Sequence, residues 1–271
     1  MSGAIFRNWN NSVLSTPRVV AVPGGLQELI EVVKDTTNYP TPLRVGGSFH
    51  SLNACFATEG TQILLSRFDQ IRVDTEGMTI TVGAAVKMYQ IRDALKPYGM
   101  QTEVTPEIGN ATAGSVACCG TKDASLGRSG SGQVSSTVIG VRLVNAEGEV
   151  ETITEADDSE RMRAIRSSYG LCGVIFEATF RIQRRSVLSY GYKSFKLTPL
   201  PGRDELSGGA DGVLGLLLPY SNRIVVERRR VFPGNAPISG FSRLKHFLRD
   251  KLWENGVSFF ATLLPYNWFF R

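Results

Sequence analysis

Two glycine-rich loops, far apart in the chain, limit what this sequence can fold into. The first, "RVGGSFHSLN", runs from Arg44 to Asn53, and the second, "EIGNATAGSVACCGTKDASLGRSGSGQVSS", from Glu107 to Ser136. Glycine permits positive φ and close backbone approach, so the turn Gly46-Gly47-Ser48-Phe49-His50-Ser51 lets successive amides point into one concavity suited to a phosphate. Alone, such a turn also reads as an ordinary loop. The second loop adds weight. Gly114-Ser115 can open a short helix at "SVACC" whose first amides are offered to an anion, while Gly120, Gly127, Gly130 and Gly132 leave the backbone free to follow a flat or extended ligand. Together the loops suit a cofactor with a pyrophosphate at one end and a ring system at the other. Neither is the G-x-G-x-x-G dinucleotide fingerprint between strand and helix, and no P-loop lysine follows.

The segments around the loops alternate in type. "RVVAVP" has strand character, "LQELIEVVKDTT" places Leu26, Leu29, Ile30 and Val33 at helical spacing, and "PLRVGG" is a strand that breaks into the first loop. Three strand-like runs follow, "TQILLS", "QIRVD" and "MTITVGA". "AVKMYQIRDALKPYG" is an amphipathic helix with Val86, Tyr89, Ile91 and Leu95 on one side and Pro97 to Gly99 at its end. Past the second loop, "TVIGVRLVNAEGEVETIT" predicts two strands joined at Ala146-Glu147-Gly148. "DDSERMRAIRSSYG" predicts a helix capped by Asp157 or Asp158 and stopped by Gly170. The strand "GVIFEATFRIQ" should put Val174, Phe176, Ala178 and Phe180 on one face. After Arg185 the texture changes to strand-like "YGYKSFKL" and "NRIVVERRRVF" around a glycine-rich interruption, then a helical spacing of Phe241, Leu244, Phe247 and Leu248. These changes divide the chain into residues 1–185 and 186–271.

Composition excludes several classes. Apolar residues make up 42% and charged residues 20%, enough to build a core. The net charge of +5 is scattered, and the longest basic run, Arg228-Arg229-Arg230, reads as a solvated strand end, so a nucleic-acid partner is not expected. Four cysteines lack zinc-site spacing, and adjacent Cys118-Cys119 is an awkward disulfide or chelating pair. Buried free thiols in a reducing compartment are the expectation, and no metal site. The start of the chain shows no secretory signal, and no apolar run is long enough to span a membrane, so cytoplasmic residence is expected. The aromatic end, with Trp253, Tyr266 and Trp268 around Pro265, reads as a packing segment, with membrane-surface contact as the alternative.

In order along the chain, Asn8-Trp9, "LQELIEVVKDTT", "RVGGSFHSLN", "MTITVGAAVKMYQIRDALKPYGM", "IGNATAGSVACCGT", "VIGVRLVNAEGEV" and "SSYGLCGVIFEATFRI" resemble the flavin-binding domain of the vanillyl-alcohol oxidase, or p-cresol methylhydroxylase (PCMH-type), superfamily. The likeness spans about residues 5 to 185 and is nearest the aldonolactone and alditol oxidase branch. It implies an α+β fold: an FAD-binding domain of two α+β subdomains with FAD between them, followed by an α+β cap that supplies much of the substrate pocket and is expected to be incomplete here. By position, Gly46, Gly47, Ser48, Phe49, His50 and Ser51 resemble the pyrophosphate loop. His50 matches the histidine that many relatives bond to the 8α carbon of the flavin. Ile108, Gly109, Thr112, Gly114, Ser115 and Ala117 resemble the second flavin-contacting segment, and Gly173, Val174 and Ile175 the strand that meets the adenine end. Many relatives carry Thr-His-Gly where this chain has Thr121-Lys122-Asp123.

His50 therefore has three readings: a turn histidine, a metal ligand without company, or a flavin anchor, with the resemblance favouring the last. Lys122 and Asp123 stand either near the reacting centre or as a surface salt pair. Cys118 and Cys119 read as small hydrophobes packed beneath the flavin ring rather than as redox partners. The function expected is an FAD-dependent oxidoreductase acting on a CH–OH group of a sugar-like, polyol or lactone small molecule. The alternatives are a flavin-binding accessory protein without turnover and a peripheral membrane enzyme acting on a lipid-linked sugar. No catalytic base is assignable.

Overall fold

The computed structural model describes residues 3–126, 132–233 and 240–248. A short hairpin, β1 (Phe6–Arg7) and β2 (Leu14–Ser15), precedes a parallel unit: β3 (Val19–Ala21), α1 (Leu26–Lys34), β4 (Leu43–Gly46) and β5 (Thr61–Leu64), with strand order β3-β5-β4. α1 carries the chain from β3 to β4, on either side of β5, and buries Leu29, Val32 and Val33 against Ile63 and Ala21. The helix stops three residues short of the sequence expectation, because the Asp35 carboxylate accepts from the Thr37 and Asn38 amides and turns the chain.

The second layer is antiparallel. β6 (Ile71–Asp74), β7 (Thr79–Gly83), β8 (Met100–Thr102), β9 (Val138–Val144), β10 (Val150–Thr154) and β11 (Val174–Arg184) form a sheet of order β10-β9-β11-β7-β6, with β8 also on β11. α2 (Met88–Leu95), α3 (Ala113–Cys118) and α4 (Ser159–Ile165) cover one face, burying Met88, Ile91, Leu95, Val116, Met162 and Ile165 against Ile80, Val141 and Phe180. Asp158 caps α4 by accepting from the Arg161 amide. That helix ends at Ile165, before the left-handed Gly170 expected to stop it.

Two side-chain assignments need correction. Tyr89 is exposed, and Met88 takes its place in the core. The face expected to carry Val174, Phe176, Ala178 and Phe180 is split by a bulge in the β11–β9 register between Ile175 and Glu177. One extra residue flips the alternation: Val174 and Phe176 join the α1 cluster, while Ala178 and Phe180 join Ile175 in the other.

A separate antiparallel sheet, β12 (Ser186–Lys196), β13 (Gly212–Leu218) and β14 (Arg223–Pro233) in order β12-β14-β13, carries α5 (Arg203–Ser207) over a small core of Phe195, Ile224 and Val226. Its edge joins the second loop, where the Val213 amide donates to the Ala124 carbonyl at 2.7 Å. α6 (Gly240–Leu248) follows, with Phe241, Leu244 and Leu248 exposed. Gly127, Gly130 and the aromatic segment with Trp253, Tyr266 and Trp268 lie outside the described residues.

Candidate functional site

The first loop leaves β4 at Gly46 over a fixed floor. Buried Gln62 on β5 donates from Nε2 to the Arg44 carbonyl at 2.9 Å and accepts from the Ser15 hydroxyl at 2.9 Å. At Phe49, φ is 56°, and this left-handed step folds its ring beneath the loop. There it stacks on Phe6 at 5.3 Å and meets Phe56 edge-on at 5.1 Å. Phe49 was expected as a cofactor contact, but its ring belongs to this aromatic cluster. Asn8 and Trp9 tie down the loop's far end. The Trp9 amide donates to the Phe49 carbonyl at 3.1 Å, and Asn8 Nδ2 donates to the Ser51 carbonyl at 3.0 Å. Sequence reasoning noted the Asn8-Trp9 pair without a role, and these bonds supply one.

The second loop is pinned to α2 and β7. The Tyr89 amide donates to Gly109 and the Met88 amide to Ala111, at 2.8 and 3.0 Å. α3 begins at Ala113, just before the Gly114-Ser115 opening that was expected. Its first two amides are not offered to an anion, contrary to expectation: Ala113 donates to Val86 at 2.8 Å and Gly114 to Ala84 at 3.0 Å. Gly114 serves close packing, since a Cβ there would stand 2.9 Å from that of Ala84. Ala117 is wholly buried behind it, and Ile108 is exposed at the loop's outer edge.

The two loops then close on one another. A Cβ on Gly47 would lie 2.3 Å from Ser115 Oγ and 2.6 Å from Thr112 Oγ1, so only glycine lets the first loop cross the start of α3. Ser48 Oγ donates to the Asn110 carbonyl at 2.5 Å and accepts from Lys87 Nζ at 2.9 Å. His50 Nε2 lies 2.6 Å from Asn110 Oδ1. An amide oxygen only accepts, so Nε2 is the donor in this contact and Nδ1 takes no part in it. A single residue, Asn110, thus holds both Ser48 and His50, and these bonds lie on the solvent-facing side of the crossing.

Other expected site residues are engaged within the fold. Gly173 has φ of 135° and packs on the Val144 carbonyl, 2.6 Å from where its Cβ would be. Val174 and Ile175 pair with Val144 and Leu143, and their side chains are in the cores. Asp123 closes a turn instead of pairing with Lys122, accepting from the Ser125 amide and hydroxyl at 2.7 and 2.8 Å. The cysteines are free, but Cys172 is exposed, contrary to the expectation of buried thiols. Cys118 Sγ lies 4.0 Å from Cys119 Sγ. The Cys118 thiol and burial push Cys119 up to about 12. Arg229, read as part of a solvated strand end, is mostly buried and grips Glu107 through both carboxylate oxygens at 2.7 and 3.2 Å, tying β14 to the second loop.

A family model for the FAD binding domain matches residues 17–154, half of the chain. The chain belongs to this family. The FAD-binding segment so defined contains both loops, Lys87 and Asn110. Among relatives, D-arabinono-1,4-lactone oxidase of Saccharomyces cerevisiae is 25% identical over 97% of this chain and 51% of its own length. The Candida glabrata enzyme of the same name is 28% identical over 66% of this chain and 34% of its own. L-gulonolactone oxidase of Bos taurus is 25% identical over 66% and 40%. The chain thus spans between a third and a half of these relatives. The solved structure of cholesterol oxidase from Brevibacterium sterolicum superposes with a TM-score of 0.71 at 17% identity, covering 87% of this chain and 50% of that one, and shares the PCMH-type FAD-binding fold. The residues at the crossing fit the family's cofactor, since the Lys87 ammonium stands there with protons to spare beyond its bond to Ser48 and suits an anionic ligand. Among the described residues no helix is long and apolar enough to cross a membrane.

Proposed function

We propose that this chain forms the cofactor-holding part of an FAD-dependent oxidoreductase that oxidises a CH–OH group of a sugar-like, polyol or lactone small molecule. The observation that carries this reading is the crossing of Gly47 over Thr112 and Ser115, which joins the two loops into one wall. FAD, when bound, supplies an acceptor for hydride at its N5 position. The chain's own part is placement. Gly46, Gly47, Ser48 and Ser51 would present the first loop to the pyrophosphate, while Gly109, Thr112 and Ser115 would continue the same wall. Gly173 to Ile175 are assigned to the adenine end by family position alone. His50 is the covalent anchor, with Asn110 holding Nε2 so that Nδ1 is the nitrogen able to bond. The lactone-oxidising relatives support the substrate class.

Acid precipitation of the purified protein tests the anchor, because a yellow pellet retains covalent flavin and a yellow supernatant does not. Anaerobic mixing with a panel of aldonolactones and polyols tests the reaction, with bleaching of the flavin band expected from at least one member. A colourless protein that also fails to take up added FAD would refute the whole reading.

A further inference from the structure

Lys87 sits between the two loops and brings a positive charge to their junction. It precedes α2, and its backbone bridges Thr112 at the start of α3. Its side chain reaches the other way, to Ser48 in the first loop, where Nζ donates to Oγ at 2.9 Å. That hydroxyl has already given its own proton to the Asn110 carbonyl, so it meets the ammonium with a lone pair. An ammonium has three protons to donate. Lys87 takes part in none of the ion pairs formed among the described residues. It is half-buried, and that burial holds its pKa below the ordinary lysine value of 10.5.

A partly desolvated cation without a counter-ion costs stability, and the cost is recovered when a ligand brings the opposite charge. The chemistry of that ligand follows from the surroundings. The neighbouring groups are the backbone of Gly46 and Gly47 and the bonded hydroxyl pair of Thr112 and Ser115, which keeps one proton for a phosphate oxygen. Of the parts of FAD, the pyrophosphate carries the negative charge, while the oxidised ring system is neutral. We infer that Lys87 is a cofactor-binding residue whose ammonium, held on Ser48 Oγ at the junction of the two loops, pairs with the pyrophosphate of FAD. This rests on the proposal that the loop crossing holds FAD.

The test compares the full chain with its Lys87→Met, Lys87→Gln and Lys87→Arg variants, all carrying His50→Ala so that the cofactor stays exchangeable. Each apoprotein is titrated with FAD, ADP, AMP and riboflavin by fluorescence and calorimetry, at low and raised salt. Loss of the charge should weaken FAD and ADP about ten- to a hundredfold, the range for a charge-assisted hydrogen bond, and leave riboflavin unchanged. Lys87→Arg should retain most of the affinity, and the gap between parent and Lys87→Gln should narrow with salt. Equal FAD and ADP affinity in parent and Lys87→Gln overturns the inference. So does an equal loss for ADP and riboflavin, which would mark Lys87 as a structural support. A parent that binds riboflavin but neither FAD nor ADP also overturns it, and one that binds none of the four refutes the FAD reading beneath it.

Discussion

Replacing Gly47 with alanine probes the contact on which the site depends. The new Cβ would stand 2.3 Å from Ser115 Oγ and 2.6 Å from Thr112 Oγ1, short of the 3.4 Å of ordinary contact by 1.1 and 0.8 Å. Ser115 can turn its hydroxyl away at the loss of its 2.7 Å hydrogen bond to Thr112. Thr112 is β-branched and has no comparable escape, so the loops must part by something near the remaining shortfall. Overpacking of this kind costs roughly 1–3 kcal/mol. If the loops are in register only when crossed, that cost appears in cofactor binding as an FAD dissociation constant weakened by roughly five- to a hundredfold. Fluorescence titration of the exchangeable His50→Ala background measures it. Gly25→Ala is the control, because its added Cβ meets nothing within 4 Å and the residue is already extended at φ −170°. FAD affinity within twofold of the parent in Gly47→Ala, with the control also silent, would refute the claim that the crossing shapes the cofactor site.

Three further outcomes follow from other residues. His50→Ala should leave a colourless acid pellet while still binding FAD reversibly, and Asn110→Ala should lower the covalently held fraction, read by in-gel flavin fluorescence. Glu177 on the central strand is mostly buried and accepts from Arg72 at 2.7 Å, with Arg142 at 3.7 Å. Its replacement by alanine should cost about 1–3 kcal/mol in urea unfolding, since it strips a charge-assisted bond made by a mostly buried carboxylate. Arg166 and then Arg181 hold the Glu155 carboxyl below its ordinary 4.5, so its stabilising effect is complete above that pH and fades as the pH falls through the lowered value. The gap in melting temperature between the parent and Glu155→Gln should therefore shrink on acidification below 4.5; a constant gap would contradict the assignment.

Element type and order were legible in the sequence, because helical and strand periodicities are local consequences of one buried face. α1, α2 and the run of β5, β6 and β7 fall where the apolar spacing put them, and Asp158 caps α4 as its residue type and place suggested. β13 was hidden because "GVLGLLL" carries glycines and leaves Leu214, Leu216, Leu217 and Leu218 exposed, so no alternation marks it. The bulge at Phe176 was equally silent, since an extra residue in one strand is defined only against its partner.

The sequence alone specified two permissive loops and a histidine in one of them, and family resemblance attached them to FAD. Only the tertiary structure showed that Gly47 crosses Thr112 and Ser115, that Asn110 Oδ1 meets His50 Nε2, and that Lys87 reaches Ser48 between the loops. The reason is physical. Periodicity reports which face of a segment avoids water, whereas contacts between residues some forty to seventy positions apart depend on how whole faces stack, and no local pattern encodes that.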